Sequence, residues 1–296
     1  MKKYLLIVGT VLFIFTAFTD CRRRGPRTSK NKKEKVVTPK IIPEEKRDTV
    51  YFIVPTEPDV APTEPNAQSD EQDFIVVPTI KKLKPIEHTA NLPTPPKIIF
   101  QHPTGSHTRQ DYINQYNITG DMKELIIACN YDNKTVRNNA LALVSMSPGE
   151  FNLGQICDIF DFCYQNWSYV NDPVTIDYYA KASETLRNGL NGDCDDFAIL
   201  LCSMILSIGG EARINFAYDA TSGHAFTEVN IGTTNQSNVQ NYLRARYSNA
   251  DMWHRADSSG NVWLNMDWQA QYPGGRYWKY NNGTSFNIIR NIYENL

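Results

Sequence analysis

One stretch of this chain is apolar around nearly its whole circumference and opens on a polar turn: Asn191 to Gly210, NGDCDDFAILLCSMILSIGG. Phe197, Ala198, Leu200, Leu201, Met204, Ile205 and Ile208 recur at helical spacing and cover too much of the helix for it to lie on a surface. Other layers must therefore wrap it. Asn191, Gly192 and Asp193 have turn and N-cap chemistry, and Gly209 and Gly210 end the helix. Cys194 is thereby placed at the N-terminal end of a buried helix.

A thiol at that position meets free backbone N–H groups and the positive end of the helix dipole, which favours the thiolate. Asp195 and Asp196 work against it, because neighbouring negative charge disfavours a second anion. A nucleophilic Cys194 thus needs a cationic partner. Without one, it is a small buried hydrophobe, as unmodified cysteines usually are.

A partner is available some thirty residues on. EARINFAYD, from Glu211 to Asp219, reads as a strand, a turn follows at Ala220 to Gly223, and HAFTEVNIG alternates as a second strand opened by His224. His224, Phe226 and Glu228 share one face of it, and Ala225, Thr227, Val229 and Ile231 share the other. VWLNMDW, Val262 to Trp268, reads as a third strand with Trp263, Asn265 and Asp267 on one face. Cysteine at a helix start, histidine on the next strands and aspartate later match a thiolate nucleophile, its base and the residue that orients the base. Glu228 either bonds within this site or meets solvent.

The segments GDCDDFA, GHAFTEV and VWLNMDW resemble, in that order, the three motifs of the transglutaminase-like superfamily, a branch of the papain-like thiol enzymes. WSYVNDP, Trp167 to Pro173, resembles the stretch that precedes the nucleophile in its bacterial and archaeal members. The likeness runs from about Phe151 to Gly275. It implies an α+β, papain-like fold, with N-terminal helices and the nucleophile helix packed on an antiparallel sheet. It also implies a Cys194–His224–Asp267 triad acting on amide carbonyls of a protein or peptide, by hydrolysis or by transfer to an amine. No cofactor is implied. A binding or scaffold module that keeps the fold without catalysis is the third reading. Trp167 either packs in the core or donates its indole N–H to an oxyanion, as an upstream tryptophan does in some relatives.

The first hundred residues are of another kind. Lys2 and Lys3 precede the apolar run Tyr4 to Phe18, which has the length of a signal-peptide core and is short for a membrane span. Cys21 follows, as the lipidated cysteine of a bacterial lipoprotein would, although Phe18, Thr19 and Asp20 are not the small residues that usually precede it. Arg22 to Asp48 holds eleven Lys or Arg against four Asp or Glu, so it suits an anionic lipid surface or a solvated linker. Recurrent Pro, Glu and Thr up to Pro96 cannot bury enough apolar surface to fold. Two short apolar echoes, YFIVP at Tyr51 and DFIVVP at Asp73, interrupt it. The expected organisation is a signal or membrane anchor over 1–20, a tether over 21–107 and one domain over 108–296, held at the cell envelope through its N-terminus. A net charge of -2 gives no sign of nucleic acid as a partner.

Within the domain, helices are expected over Arg109 to Gln115, Met122 to Cys129, Lys134 to Val144 and Asn152 to Asn166. Gln236 to Arg246, inside an insertion between the histidine and aspartate motifs, suits an extra helix, and the insertion as a whole suits a lid or a substrate-selecting loop. His254 and Asp257 in that insertion are rivals for the base and orienting roles, and neither shows strand-like alternation. Cys129, Cys157, Cys163 and Cys202 lack paired metal-ligand spacing, and Cys157 and Cys163, six apart on one helix, are expected as two thiols. Asp193, Asp195 and Asp196 are expected to cap the helix or to meet a cationic group of the substrate, and no metal site is expected.

Overall fold

The computed structural model describes residues 92–101, 109–116, 118–173, 176–248, 250–290 and 292–296. The signal or anchor segment, Cys21, the basic stretch and the two apolar echoes lie outside the described residues.

In chain order come α1 (Arg109–Gln115), α2 (Asp121–Ala128), α3 (Lys134–Val144), α4 (Leu153–Asn166), β1 (Ser168–Tyr169), α5 (Ala182–Arg187), β2 (Asn191–Gly192) and α6 (Cys194–Ser207). They are followed by β3 (Ala212–Tyr218), β4 (Gly223–Gly232), α7 (Gln236–Tyr247), β5 (His254–Ala256), β6 (Val262–Asn265), a 3-10 turn at Trp268–Ala270, β7 (Asn282–Asn287) and β8 (Ile292–Asn295). The starts of the core helices are set by short polar side chains. Asn133, Asn152 and Asp193 accept hydrogen bonds from Thr135 N, Gln155 N and Asp195 N, each satisfying an N–H that the helix leaves unpaired.

Every residue of α6 is buried. Helices α3, α4 and α5 cover it on one side, and β3 and β4 lie against the other. The six strands run β5-β6-β4-β3-β7-β8, each antiparallel to its neighbour. Ala212, Ile214, Val229, Leu264 and Phe286 lie in register on the face towards α6. Arg213, Asn215, Glu228, Asn265 and Ser285 lie on the opposite face and are buried as well. One side of the sheet is thus an apolar core and the other a covered polar layer. The α+β papain-like arrangement expected from the motifs is present.

Several local expectations change. The chain joins the domain ahead of Thr108: Leu153 N donates to Pro96 O at 3.0 Å, Ile98 N to Phe151 O at 2.9 Å, and Ile98 is buried. Gly232 makes this strap possible, because its φ is 57° and a Cβ there would stand 1.7 Å from Ile99 O. The third motif strand stops at Asn265, and Asp267 instead caps the 3-10 turn by accepting from Gln269 N at 3.0 Å. His254 does lie in a strand, the edge strand β5, which at three residues is too short to show alternation. The insertion helix α7 is docked rather than lid-like. Its Val239, Tyr242 and Leu243 are buried, and Arg246 bonds to Asp158 at 2.8 Å and to Asp161 at 2.7 Å on α4. Cys157 and Cys163 are both buried thiols. No helix among the described residues is long and apolar enough to cross a membrane.

Candidate active site

The site is assembled by how α6 runs along β4. Thr227 Oγ1 donates to Ala198 O at 2.8 Å, and beyond the helix Asn230 N donates to Glu211 O at 2.8 Å. Both chains therefore advance in the same direction. Going back from the first of these bonds, Cys194 lies one helical turn before Ala198, about 6 Å, and His224 lies three strand residues before Thr227, about 10 Å. Cysteine and histidine thus come to the same end of the α6–β4 pair. Both are buried.

His224 meets Asp267 directly. Its Nε2 lies 3.0 Å from each carboxylate oxygen of Asp267, which is 1% exposed. The imidazole is further covered by Trp278, with ring centroids 5.5 Å apart, and by Phe226 at 6.0 Å. Asp267 is itself steadied: its N–H donates to Asn265 Oδ1 at 3.2 Å, and Asn265 Nδ2 donates to Gly275 O at 2.8 Å. A carboxylate on Nε2 selects the tautomer with the proton there and leaves Nδ1 as the nitrogen that can take a proton. The rivals are placed elsewhere. His254 Nδ1 lies 3.2 Å from Met252 O, and Asp257 accepts from Trp263 Nε1 at 2.9 Å and from Asn261, which pulls its carboxyl below the usual range although burial opposes it.

Trp167 packs edge-on against Phe197 at 5.1 Å, and Phe197 is three residues along α6 from Cys194. Its indole nitrogen is buried and has no hydrogen-bond partner among the described residues. The ring does pack in the core, as one of its two expected roles requires, while its N–H stays available for the other.

Three carboxyl groups cluster at the start of α6. Asp193, Asp195 and Asp196 are buried and each offers an oxygen within 4.8 Å of the others, close enough to hold a cation. Asp193 is the N-cap, as expected, and Asp196 Oδ1 accepts from Ala180 N at 2.8 Å. Asp195 Oδ1 is buried without a partner. Burial, added to by the charge of Asp193, pushes the Asp195 carboxyl well above its ordinary range. Burial likewise lifts Asp196 to about 7, with the bond from Ala180 opposing it. The close fit needs a glycine beforehand, because a Cβ at Gly192 would stand 2.2 Å from Asp196 Oδ2.

Glu228 belongs neither to solvent nor to the catalytic group. It is fully buried and accepts from Arg213 Nε at 2.8 Å, Arg255 Nε at 2.8 Å and Tyr277 Oη at 2.5 Å. Nothing in the local sequence pattern marked this cluster, since its members come from β3, β4, β5 and the segment before β7. The triple-aspartate cluster was visible as DCDD, but its depth was not.

Residues 145–268 match the family model described as the transglutaminase-like superfamily. This stretch is a transglutaminase-like domain. Among solved structures, a protein of Cytophaga hutchinsonii described as a candidate cysteine protease is similar at 21% identity over 39% of this chain and 40% of its own, with a TM-score of 0.29. The chain therefore spans about 40% of that protein's length. Legionella pneumophila LapG in a calcium-bound structure is 18% identical over 60% of this chain and 82% of LapG, with a TM-score of 0.33. A second LapG structure is 16% identical over 61% and 84%, at 0.29. Scores this low carry no functional weight. No curated protein matches the chain.

Proposed function

We propose that this domain is a thiol enzyme that breaks amide bonds of a protein or peptide through Cys194, His224 and Asp267. The observation that carries this reading is the His224 Nε2–Asp267 pair, buried at the same end of the α6–β4 unit as Cys194. His224 takes the thiol proton at Nδ1, and Asp267 stabilises the imidazolium that results. The thiolate adds to the carbonyl carbon, while the Cys194 N–H and the unbonded indole N–H of Trp167 receive the oxyanion. The C–N bond breaks, the amine leaves with the proton from His224, and a thioester remains on Cys194. Water then attacks the thioester with His224 as base, releasing the acid and restoring the thiol. Attack by an amine in place of water would make the same site a transglutaminase.

Hydrolysis is the favoured outcome, because water is the abundant nucleophile unless a site excludes it. The sequence features from Lys2 to Cys21 support an envelope location, with the N-terminus as membrane anchor and Cys21 as its lipidated end. A direct test is to incubate unfolded casein with the purified protein, with and without dansylcadaverine, beside Cys194→Ala. Fragments that need Cys194 establish hydrolysis. Dansyl incorporation without fragments establishes amine transfer. A thiol at Cys194 no more reactive than the other cysteines, together with neither product, favours the scaffold reading.

A further inference from the structure

The stretch that precedes the nucleophile does more than pack. Val170 N donates to Gly192 O at 2.8 Å, β1 pairs with β2 in parallel, and Ala180 N donates to Asp196, so residues 168–173 are tied to the chain just before Cys194 and residue 180 to the first turn of the helix after it. Held there, the stretch exposes large apolar side chains: Tyr169 is 41% exposed, Val170 52%, Ile176 61% and Tyr178 52%. A soluble domain gains nothing from exposing four such groups together. Tyr169 also reaches across to Trp268, with ring centroids 5.4 Å apart, the residue after Asp267. The apolar strip thus joins the cysteine side of the site to the aspartate side.

Carboxylates lie between these apolar groups. Tyr178 N donates to Asp172 Oδ2 at 2.6 Å, and Asp172, Asp193 and Asp121 all act on the exposed Asp177 as like charges. Below them stand Asp193, Asp195 and Asp196, where Asp195 Oδ1 is buried and without a partner. An unpaired buried carboxylate oxygen among like charges points to a missing cation. A metal ion could fill the deep group but has no use for the aromatic strip above it. An extended peptide suits the strip and the carboxylates Asp172 and Asp177 set along it.

We propose that the substrate carries a lysine or arginine next to a bulky apolar residue at the reacting amide, with the apolar side chain on Tyr169, Val170 and Tyr178 and the cation between Asp172 and Asp177. This rests on the reading of Cys194, His224 and Asp267 as the reactive group, and it adds what that group accepts. The exposed Asp177 and the half-buried Asp172 supply the charge complementarity for a cationic side chain.

Three chloromethyl ketones test it: acetyl-Ala-Phe-Lys, acetyl-Ala-Phe-norleucine and acetyl-Ala-Phe-Glu, each alkylating Cys194 with loss of chloride. Rates are measured on the full chain by intact mass and peptide mapping, in EDTA and in calcium chloride, with iodoacetamide as a probe that makes no use of the strip. The lysine ketone is expected to react about tenfold faster than the norleucine one in EDTA, and the glutamate one slowest, as charge-assisted contacts predict. In Asp177→Asn the lysine-to-norleucine ratio should fall to about threefold or less, with the iodoacetamide rate reporting an intact fold. Rapid iodoacetamide labelling with equal lysine and norleucine rates would overturn the proposal and leave the thiol reading standing. A ratio near one in EDTA, with all three probes accelerated alike by calcium, would overturn it in favour of a metal ion in the deep aspartates. Slow labelling of Cys194 by iodoacetamide as well would overturn both.

Discussion

Replacing Glu228 tests how the polar face of the sheet is held. Its carboxylate is fully buried and takes three donors, from Arg213, Arg255 and Tyr277. Truncation in Glu228→Ala leaves Arg213, whose side chain is 5% exposed, with Glu294 as its remaining carboxylate and with its ring contact over Trp263 at 4.2 Å. Arg255 and the Tyr277 hydroxyl lose the same acceptor. Removing one partner of a buried ion pair typically costs about 3–5 kcal/mol, because the other charge stays desolvated. In a domain of this size each kcal/mol lowers Tm by about 2–4 °C, so the expected loss is roughly 10 °C. Glu228→Gln keeps an acceptor oxygen and the volume, and should lose about half as much. Calorimetry on the purified protein reads both, and 1 M salt should change the losses little, since salt screens buried pairs poorly. A drop below about 2 °C in Glu228→Ala would mean instead that water reaches Arg213 and Arg255 and that the buried pairs contribute little.

Other outcomes follow from the same geometry. Asp267→Asn can still cap the 3-10 turn through its amide oxygen but presents N–H groups to His224 Nε2, forcing the proton onto Nδ1; Cys194 labelling near neutral pH should fall about tenfold or more with little change in melting temperature. Gly232→Ala places a Cβ 1.7 Å from Ile99 O at a φ of 57°, so it should destabilise the domain by about 2 kcal/mol or more in urea titration, and in a chain lacking residues 1–101 the substitution should cost less, because only the backbone strain remains. Burial raises Asp196 to about 7, so the native state binds more protons than the unfolded chain; stability should rise as pH falls from 8 towards 5, and Asp196→Asn should flatten that slope in melts run at each pH. Cys157, whose thiol burial pushes up to about 12, and the equally enclosed Cys163 should stay unlabelled by iodoacetamide in the native protein.

What could be read in the sequence was what is local and periodic. The N-cap at Asp193, the apolar run of α6, the alternation of β4 and the helix at Lys134–Val144 each depend on neighbours within a few residues, and each appears as read. His224 and Asp267 are paired through motif order, and the two side chains do meet, though Asp267 stands in a turn rather than in the strand. Features joined across long separations were not legible. The strap at Pro96–Ile99 depends on Gly232, more than a hundred residues on, and the Glu228 cluster draws on four separate segments. Strand β5 is three residues long and has no period to show. DCDD advertises helix capping, whereas the absence of a partner for Asp195 Oδ1 depends on what packs around it.

The proposed chemistry requires that His224 turn Cys194 into a thiolate. The most direct measurement is the rate of Cys194 alkylation by iodoacetamide between pH 5 and 9, in the wild type and in His224→Ala, read by intact mass and peptide mapping. The wild type is expected to react rapidly even near pH 6, well below the ordinary thiol pKa of about 8.5, and His224→Ala to lose this low-pH reaction. A wild-type profile that rises only as an ordinary thiol does, unchanged by the substitution, would contradict it.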